Sequence, residues 1–145
     1  MTSRFGLLTT LDRGVPSLWS QLESAGAARR CAGIRAVGPS GDAIVDATPV
    51  GREQRVPESC RDDLARRLEE QGRDLVAAGA DGLVLACAGF SPMSAALSVA
   101  LDLPVCDGVA LGACIAHGLW ASGVWTSKTG AYAWSDAAWA EANRS

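Results

Sequence analysis

The segment DGLVLACAGFSPMSAAL, residues 81–97, runs from apolar residues into a cysteine and out through small ones. Residues 82–87, GLVLAC, are apolar without alternation, which predicts a strand buried on both faces, as in a parallel sheet. Ser91 and Pro92 then open a predicted helix to about Leu101, with Ser91 as N-cap and Pro92 in its first position. Met93, Ala96, Leu97, Ala100 and Leu101 form the buried stripe of that helix. Between the two elements lies Cys87-Ala88-Gly89. Cys87 is then either a reactive group displayed at a strand end or a small buried apolar side chain, as free cysteines often are.

Outward from this segment, strands and helices alternate. RFGLLTT, residues 4–10, reads as a strand, and Asp12 to Gly14 as a turn. A helix follows from Pro16 to about Ala25, with Val15, Leu18, Trp19 and Leu22 on one face and Gly26 as its stop. CAGIRAVG, residues 31–38, is a second strand. Residues 38–57, with three Gly and three Pro, read as a long loop of the kind that is often functional or mobile. A long helix is predicted from about Pro57 to Ala78. Cys60, Leu64, Leu68, Leu75 and Val76 form its apolar stripe, and Arg61, Asp62, Asp63, Arg66, Arg67, Glu69 and Glu70 its solvated face. Gly79 ends it. LPVCDG, residues 103–108, is a short strand, after which Asp107 caps a helix from Gly108 to about Ala121. The order β-α-β-α-β-α-β-α predicts an α/β fold, with a four-stranded parallel sheet in a three-layer α/β/α arrangement. Ligands of such sheets bind beyond the carboxyl ends of the strands, where Thr9-Thr10, Cys87-Ala88-Gly89 and Cys106-Asp107-Gly108 converge.

Composition narrows the chemistry. The chain has 145 residues, 48% of them apolar and 20% charged, which suits one globular domain with a hydrophobic core. A net charge of −3 without a basic block gives no sign of a nucleic-acid partner. No apolar run approaches the roughly 20 residues of a membrane span, and the start does not read as a secretion signal. The five cysteines, Cys31, Cys60, Cys87, Cys106 and Cys114, are odd in number and show no C-x-x-C spacing. A reduced, cytoplasmic chain is the expectation. The single histidine, His117, disfavours a His-based metal cluster, and its spacing from Cys114 on one small-residue helix face reads as core packing. There is no G-x-G-x-x-G, P-loop or H-E-x-x-H pattern, so neither a nucleotide cofactor nor a metal is expected.

A thiol at a strand end, beside the first N–H groups of a helix, suits acid–base work. Those N–H groups can hold a carboxylate or carbonyl oxygen, and Ala88 and Gly89 leave the backbone open to a ligand. Thr9 and Thr10 bring hydroxyls to the adjacent strand end. A thiolate there could move a proton at a carbon next to a carbonyl while hydrogen-bond donors hold the enolate oxygen. Cys31, Cys60, Cys106 and Cys114 lack that placement and read as packing residues.

At these residues the chain resembles the aspartate/glutamate/hydantoin racemase superfamily, most closely its hydantoin and allantoin racemase branch. GADGLVLACAGFS, residues 79–91, is similar to the motif G-A-D-x-[IV]-V-L-G-C-A-G-M around that family's second catalytic cysteine. RFGLLTTLDRGVP (4–16) resembles the opening of the family's second half-domain, LDLPVCDGVALG (101–112) its L-G-[IV]-P-V-[IV]-D-G-V, and GVWTSKTGAYA (123–133) its closing G-L-x-T-S-K-x-G-x-Y. The resemblance implies one half-domain of the Asp/Glu racemase-like fold, over residues 1–122. Residues 123–145 would then be an apolar closing segment that packs on another chain or on a missing half-domain. It also implies cofactor-independent racemisation of a small-molecule substrate, in which two cysteines face each other across the substrate Cα. Carried onto this chain, Cys87 is the second of those cysteines, Thr9 and Thr10 match substrate-holding hydroxyls, and Ala88, Gly89 and Phe90 match the backbone that lines the site. Phe90 stands where the motif has methionine. No counterpart of the first half-domain or its cysteine is present, so the two-cysteine site is expected to be incomplete in a single chain.

Four functional readings follow. One is a racemase-like module carrying one cysteine, as a truncated or fragmentary form of such an enzyme or as half of a split enzyme that acts with a separate N-terminal half-domain. Another is a homodimer or higher homo-oligomer, with Cys87 of two chains facing one substrate. A third is a single-cysteine enzyme of the arylmalonate decarboxylase type. The last is a non-catalytic remnant or interaction domain. Trp120, Trp125, Trp134 and Trp139 crowd the C-terminal end, which predicts exposed apolar surface there and hence self-association.

Overall fold

The computed structural model describes residues 3–38, 58–127, 129 and 133, with side chains from residue 62 onward in the long helix. The loop read at 38–57 lies outside the described residues apart from Gly38. So do the Cys60 side chain, Trp134, Trp139 and most of the closing segment 123–145.

Four strands form one sheet: β1 (Phe5–Thr9), β2 (Cys31–Ala36), β3 (Leu83–Leu85) and β4 (Val105–Asp107). Their order across the sheet is β2-β1-β3-β4, and every pairing is parallel. The helices that cross between them are α1 (Val15–Ser24), α2 (Glu58–Ala77) and α3 (Ser94–Leu101), and α4 (Gly108–Ala121) follows the last strand. The predicted α/β fold with a four-stranded parallel sheet is the observed one. The chain divides into two compact units, Met1–Leu111 and Gly112–Ser145.

Both faces of the sheet are packed, which is why β3 shows no polar alternation. On one face Leu8, Leu83 and Leu85 meet Leu68 and Leu75 of α2 and Leu97 of α3. On the other, Leu7, Cys31 and Ile34 pack with Val15, Leu18, Trp19 and Leu22 of α1. The α1 face of the predicted stripe is therefore correct. Leu75 lies so close to the sheet that a Cβ on Gly6 would stand 2.8 Å from its Cδ1, and one on Gly33 3.2 Å from its Cδ2. Glycine in those strands is what admits the helix. Gly26 and Gly79, at φ +66° and +94°, end α1 and α2 in the left-handed region that glycine reaches without strain.

β2 carries an irregularity. Phe5 pairs with Cys31 but Gly6 with Gly33, so Ala32 is an extra residue. The bulge turns Cys31 and Ile34 to the same face despite their odd spacing. This is why the segment reads only weakly as an alternating strand.

Several expectations are corrected. Val76 is 39% exposed and stands off the α2 stripe, whose buried members at that end are Gly72 and Leu75. On α3 only Leu97 is buried; Met93 and Leu101 are half-buried, and Ala96 and Ala100 are exposed, because the helix is short and meets α2 along one edge. Its α-helical part begins at Ser94, not at Ser91. Residues Ala88–Met93 form a 3₁₀ turn that contains Pro92, and the cap of α3 is Met93. Asp107 does cap α4: its Oδ1 accepts the Val109 N–H at 2.9 Å. The solvated face of α2 holds ion pairs of Asp63 with Arg66 and Arg67, both at 2.7 Å. Among the described residues no helix is long and apolar enough to cross a membrane.

Candidate active site

The strand order reverses between β1 and β3, since β1 is flanked by β2 on one side and β3 on the other. In open parallel sheets the crevice for a ligand lies at that switch point, outside the carboxyl ends. Leu8 lies opposite Leu85, and the Ala86 N–H donates to the Leu8 carbonyl at 2.8 Å. Thr9, which ends β1, and Thr10 after it therefore run alongside Ala86 and Cys87 as both segments leave the sheet. Thr9 is buried at 6% exposure and Thr10 is half-buried. Their carbonyls turn toward β2, accepting from Val37 N–H at 2.9 Å and Gly38 N–H at 3.2 Å.

Cys87 sits at the end of the β3 strand in extended conformation (φ −142°, ψ 128°), as the cap position of the 3₁₀ turn. Its thiol makes no capping hydrogen bond, is half-buried and rests against the Leu85 side of the core. The turn closes when Phe90 N–H donates to the Cys87 carbonyl at 3.1 Å. The Ala88 and Gly89 N–H groups precede that first bond, and both residues are exposed. Phe90 is fully buried in the core, so the position where the family motif has methionine is a packing site whose side chain anchors the turn. Only its backbone belongs to the rim.

One feature of this rim is illegible in the sequence. Ser91, the expected helix cap, points elsewhere: its hydroxyl donates to Asp107 Oδ1 at 2.8 Å. Asp107 closes β4 directly opposite Leu85, so the bond ties the Cys87 turn to the next strand end. The signal available beforehand was that Asp107 ends a strand and starts a helix. Its second partner depends on the sheet order.

The other cysteines are placed apart from this rim. Cys31 begins β2 at the opposite end of the sheet, beside Phe5. Burial pushes its thiol up, only partly offset by backbone hydrogen bonding from Gly33 and the charge of Arg4. Cys106 is half-buried in β4, opposite Val84. Cys114 and His117 were expected in a core, but both are exposed on α4, where no described residue is buried. The His117 ring instead lies 5.8 Å from that of Trp120, inclined at 46°. No group of metal-ligating side chains forms among the described residues.

The model of the family described as Asp/Glu/Hydantoin racemase matches residues 1–116. A hydantoin racemase from Rhizobium meliloti is 32% identical over 135 residues, covering 92% of this chain and 51% of that protein. Among solved structures, an allantoin racemase from Klebsiella pneumoniae aligns at a TM-score of 0.70 and 27% identity, over 93% of this chain and 50% of that one. An allantoin racemase from Pseudomonas fluorescens aligns at 0.64 and 28%, over 92% and 52%. The chain thus spans about half the length of the relatives it matches.

Proposed function

The chain belongs to the Asp/Glu/hydantoin racemase family, and from that premise we propose that it supplies one cysteine side of a cofactor-independent racemase site acting on a hydantoin- or allantoin-like substrate. The observation that carries this is Cys87 itself, half-buried where the sheet order reverses, next to the small exposed residues Ala88 and Gly89. As thiolate, Cys87 takes the proton from a carbon next to the substrate carbonyl. The C–H bond breaks, an S–H bond forms, and the electron pair moves onto the carbonyl oxygen. The Ala88 and Gly89 N–H groups and the hydroxyls of Thr9 and Thr10 hold that oxygen. Return of a proton to the same face restores the substrate, so inversion needs a second acid on the far side. A second copy of the chain or a separate N-terminal half-domain is the source we propose. Free-thiol chemistry of this kind suits a reducing, cytoplasmic setting.

The pairing has a physical basis in α4 and the residues after it. No charged residue occurs from Gly108 to Ser127, and Ile115, Leu119, Trp120, Val124 and Trp125 are all exposed. An apolar surface of that extent favours association, and a homodimer is the simplest form of it.

A second reading draws on one observation: among the described residues Cys87 is the cysteine at this rim. A lone thiol that protonates from one face would serve a malonate decarboxylation. Incubation in deuterium oxide separates the two. The racemase reading expects solvent deuterium at the ring carbon of a 5-substituted hydantoin, with no release of carbon dioxide from an arylmalonate. Carbon dioxide release without hydantoin exchange would replace it with the second reading.

A further inference from the structure

The Asp107 carboxylate accepts from two different elements. The Val109 N–H, at 2.9 Å, is the ordinary cap of a following helix. The Ser91 hydroxyl, at 2.8 Å, comes from the turn that leaves Cys87, and a helix cap has no need of it. A 3₁₀ turn has poor internal hydrogen-bond geometry, so outside contacts set its shape. This one is held at adjacent positions: the Phe90 side chain is fully buried in the core, and Ser91 is tied to Asp107. Ser91 in turn presents its carbonyl to the Ser94 hydroxyl at 3.0 Å, which joins the tether to the start of α3. Ala88 and Gly89, between Cys87 and those anchors, offer at most a methyl group to hold them in place.

We propose that Asp107 is a positioning residue of the site. Acting through Ser91, it sets the direction of the Ala88 and Gly89 N–H groups relative to the Cys87 thiol. This rests on the reading of Cys87 as the acid–base group. Without the Ser91 tether, the first half of the turn could pivot about the buried Phe90 side chain and swing those donors away from the oxygen they hold. Asp107 reaches this position because β4 pairs with β3 in the register Leu85 to Asp107. A slip of one residue would turn the carboxylate to the other face of the sheet.

The experiment combines amide hydrogen exchange with solvent-deuterium incorporation into a 5-substituted hydantoin, on the full chain. Ser91→Ala removes the tether and leaves the Val109 cap intact. Loss of a hydrogen bond to a carboxylate corresponds to about tenfold in a local opening equilibrium, so the Phe90 amide, whose bond to the Cys87 carbonyl closes the turn, should exchange about tenfold faster. Incorporation should slow by a similar factor, and Ser91→Thr, which keeps the hydroxyl, should restore both. Asp107→Ala should add faster exchange at Val109, whose N–H donates to Asp107. Unchanged exchange at the Phe90 amide in Ser91→Ala would reduce Asp107 to a helix cap and overturn the proposal. Faster exchange with unchanged incorporation would overturn it too. Wild-type incorporation by Cys87→Ser would instead sink the reading of Cys87, a separate failure that the amide data do not share.

Discussion

The two rims of this sheet are each closed by an aspartate, to opposite effect. At the amino-terminal rim Asp81 takes the Ser3 N–H at 2.7 Å, the Ser3 hydroxyl at 2.8 Å and the Arg4 N–H at 2.9 Å. These bonds consume the backbone donors of the strand that enters there, and the thiol at that rim, Cys31, is buried. At the carboxyl rim Asp107 binds one side chain and one helix N–H, and the N–H groups beside the half-buried Cys87 stay outside the turn's own bonding. One rim spends its donors on holding the chain, while at the other, where we propose the site, they stay outside the turn's own bonding. Two cysteines of one sheet thereby differ in burial according to their place along the strands.

The layer shared by both rims gives the largest expected effect. Leu75 is fully buried between α2 and the sheet, and Leu75→Ala should cost about 2–5 kcal/mol in denaturant unfolding. Gly6→Ala should be nearly as harmful alone, because its Cβ meets Leu75. The double variant should be less damaging than the sum of the two, since the cavity admits the methyl group. Strict additivity would show that the close approach carries no energy.

The contrast between the thiols comes next. In the folded chain, iodoacetamide should label Cys87 several-fold faster than Cys31, read by peptide mapping, because Cys31 is buried and burial pushes its thiol up. Denaturant should erase the difference. Equal rates in the folded chain would erase the distinction between the rims.

The smallest effect belongs to Asp81, whose carboxyl is lowered to about 2 by its three bonds from Ser3 and Arg4. A depressed carboxylate contributes stability that is complete above its unfolded value, about 3.9, and is lost as pH falls through the folded one. Thermal melts of the wild type and Asp81→Asn should therefore differ at pH 5 and converge toward pH 2. A gap that widens with acid would contradict the assignment.

Much of this fold was legible from local pattern. The unbroken apolar run at Leu83–Leu85, the stripe of Leu68 and Leu75, the glycine stops at Gly26 and Gly79 and the Asp107 cap are all written within a few residues of where they act. The site was legible in part: Cys87, Thr9 and Thr10 fall at the strand ends that an α/β reading places together, and the motif around Cys87 pointed to the family. Val76, Ala96 and Ala100 were misread because apolar character says that a residue can be buried, not that a partner exists to bury it. Cys114 and His117 failed for the same reason.

By itself the sequence determined the alternation of strands and helices, the burial of β3 on both faces and the family, since each rests on short-range periodicity or on a contiguous motif. Tertiary structure alone decided the order β2-β1-β3-β4, the extra residue at Ala32, the burial of Phe90 and the turn of Ser91 from helix cap to partner of Asp107. Each of these depends on which distant segment lies alongside. Nothing within a window of a few residues records that choice, because it is made by the packing of the whole sheet.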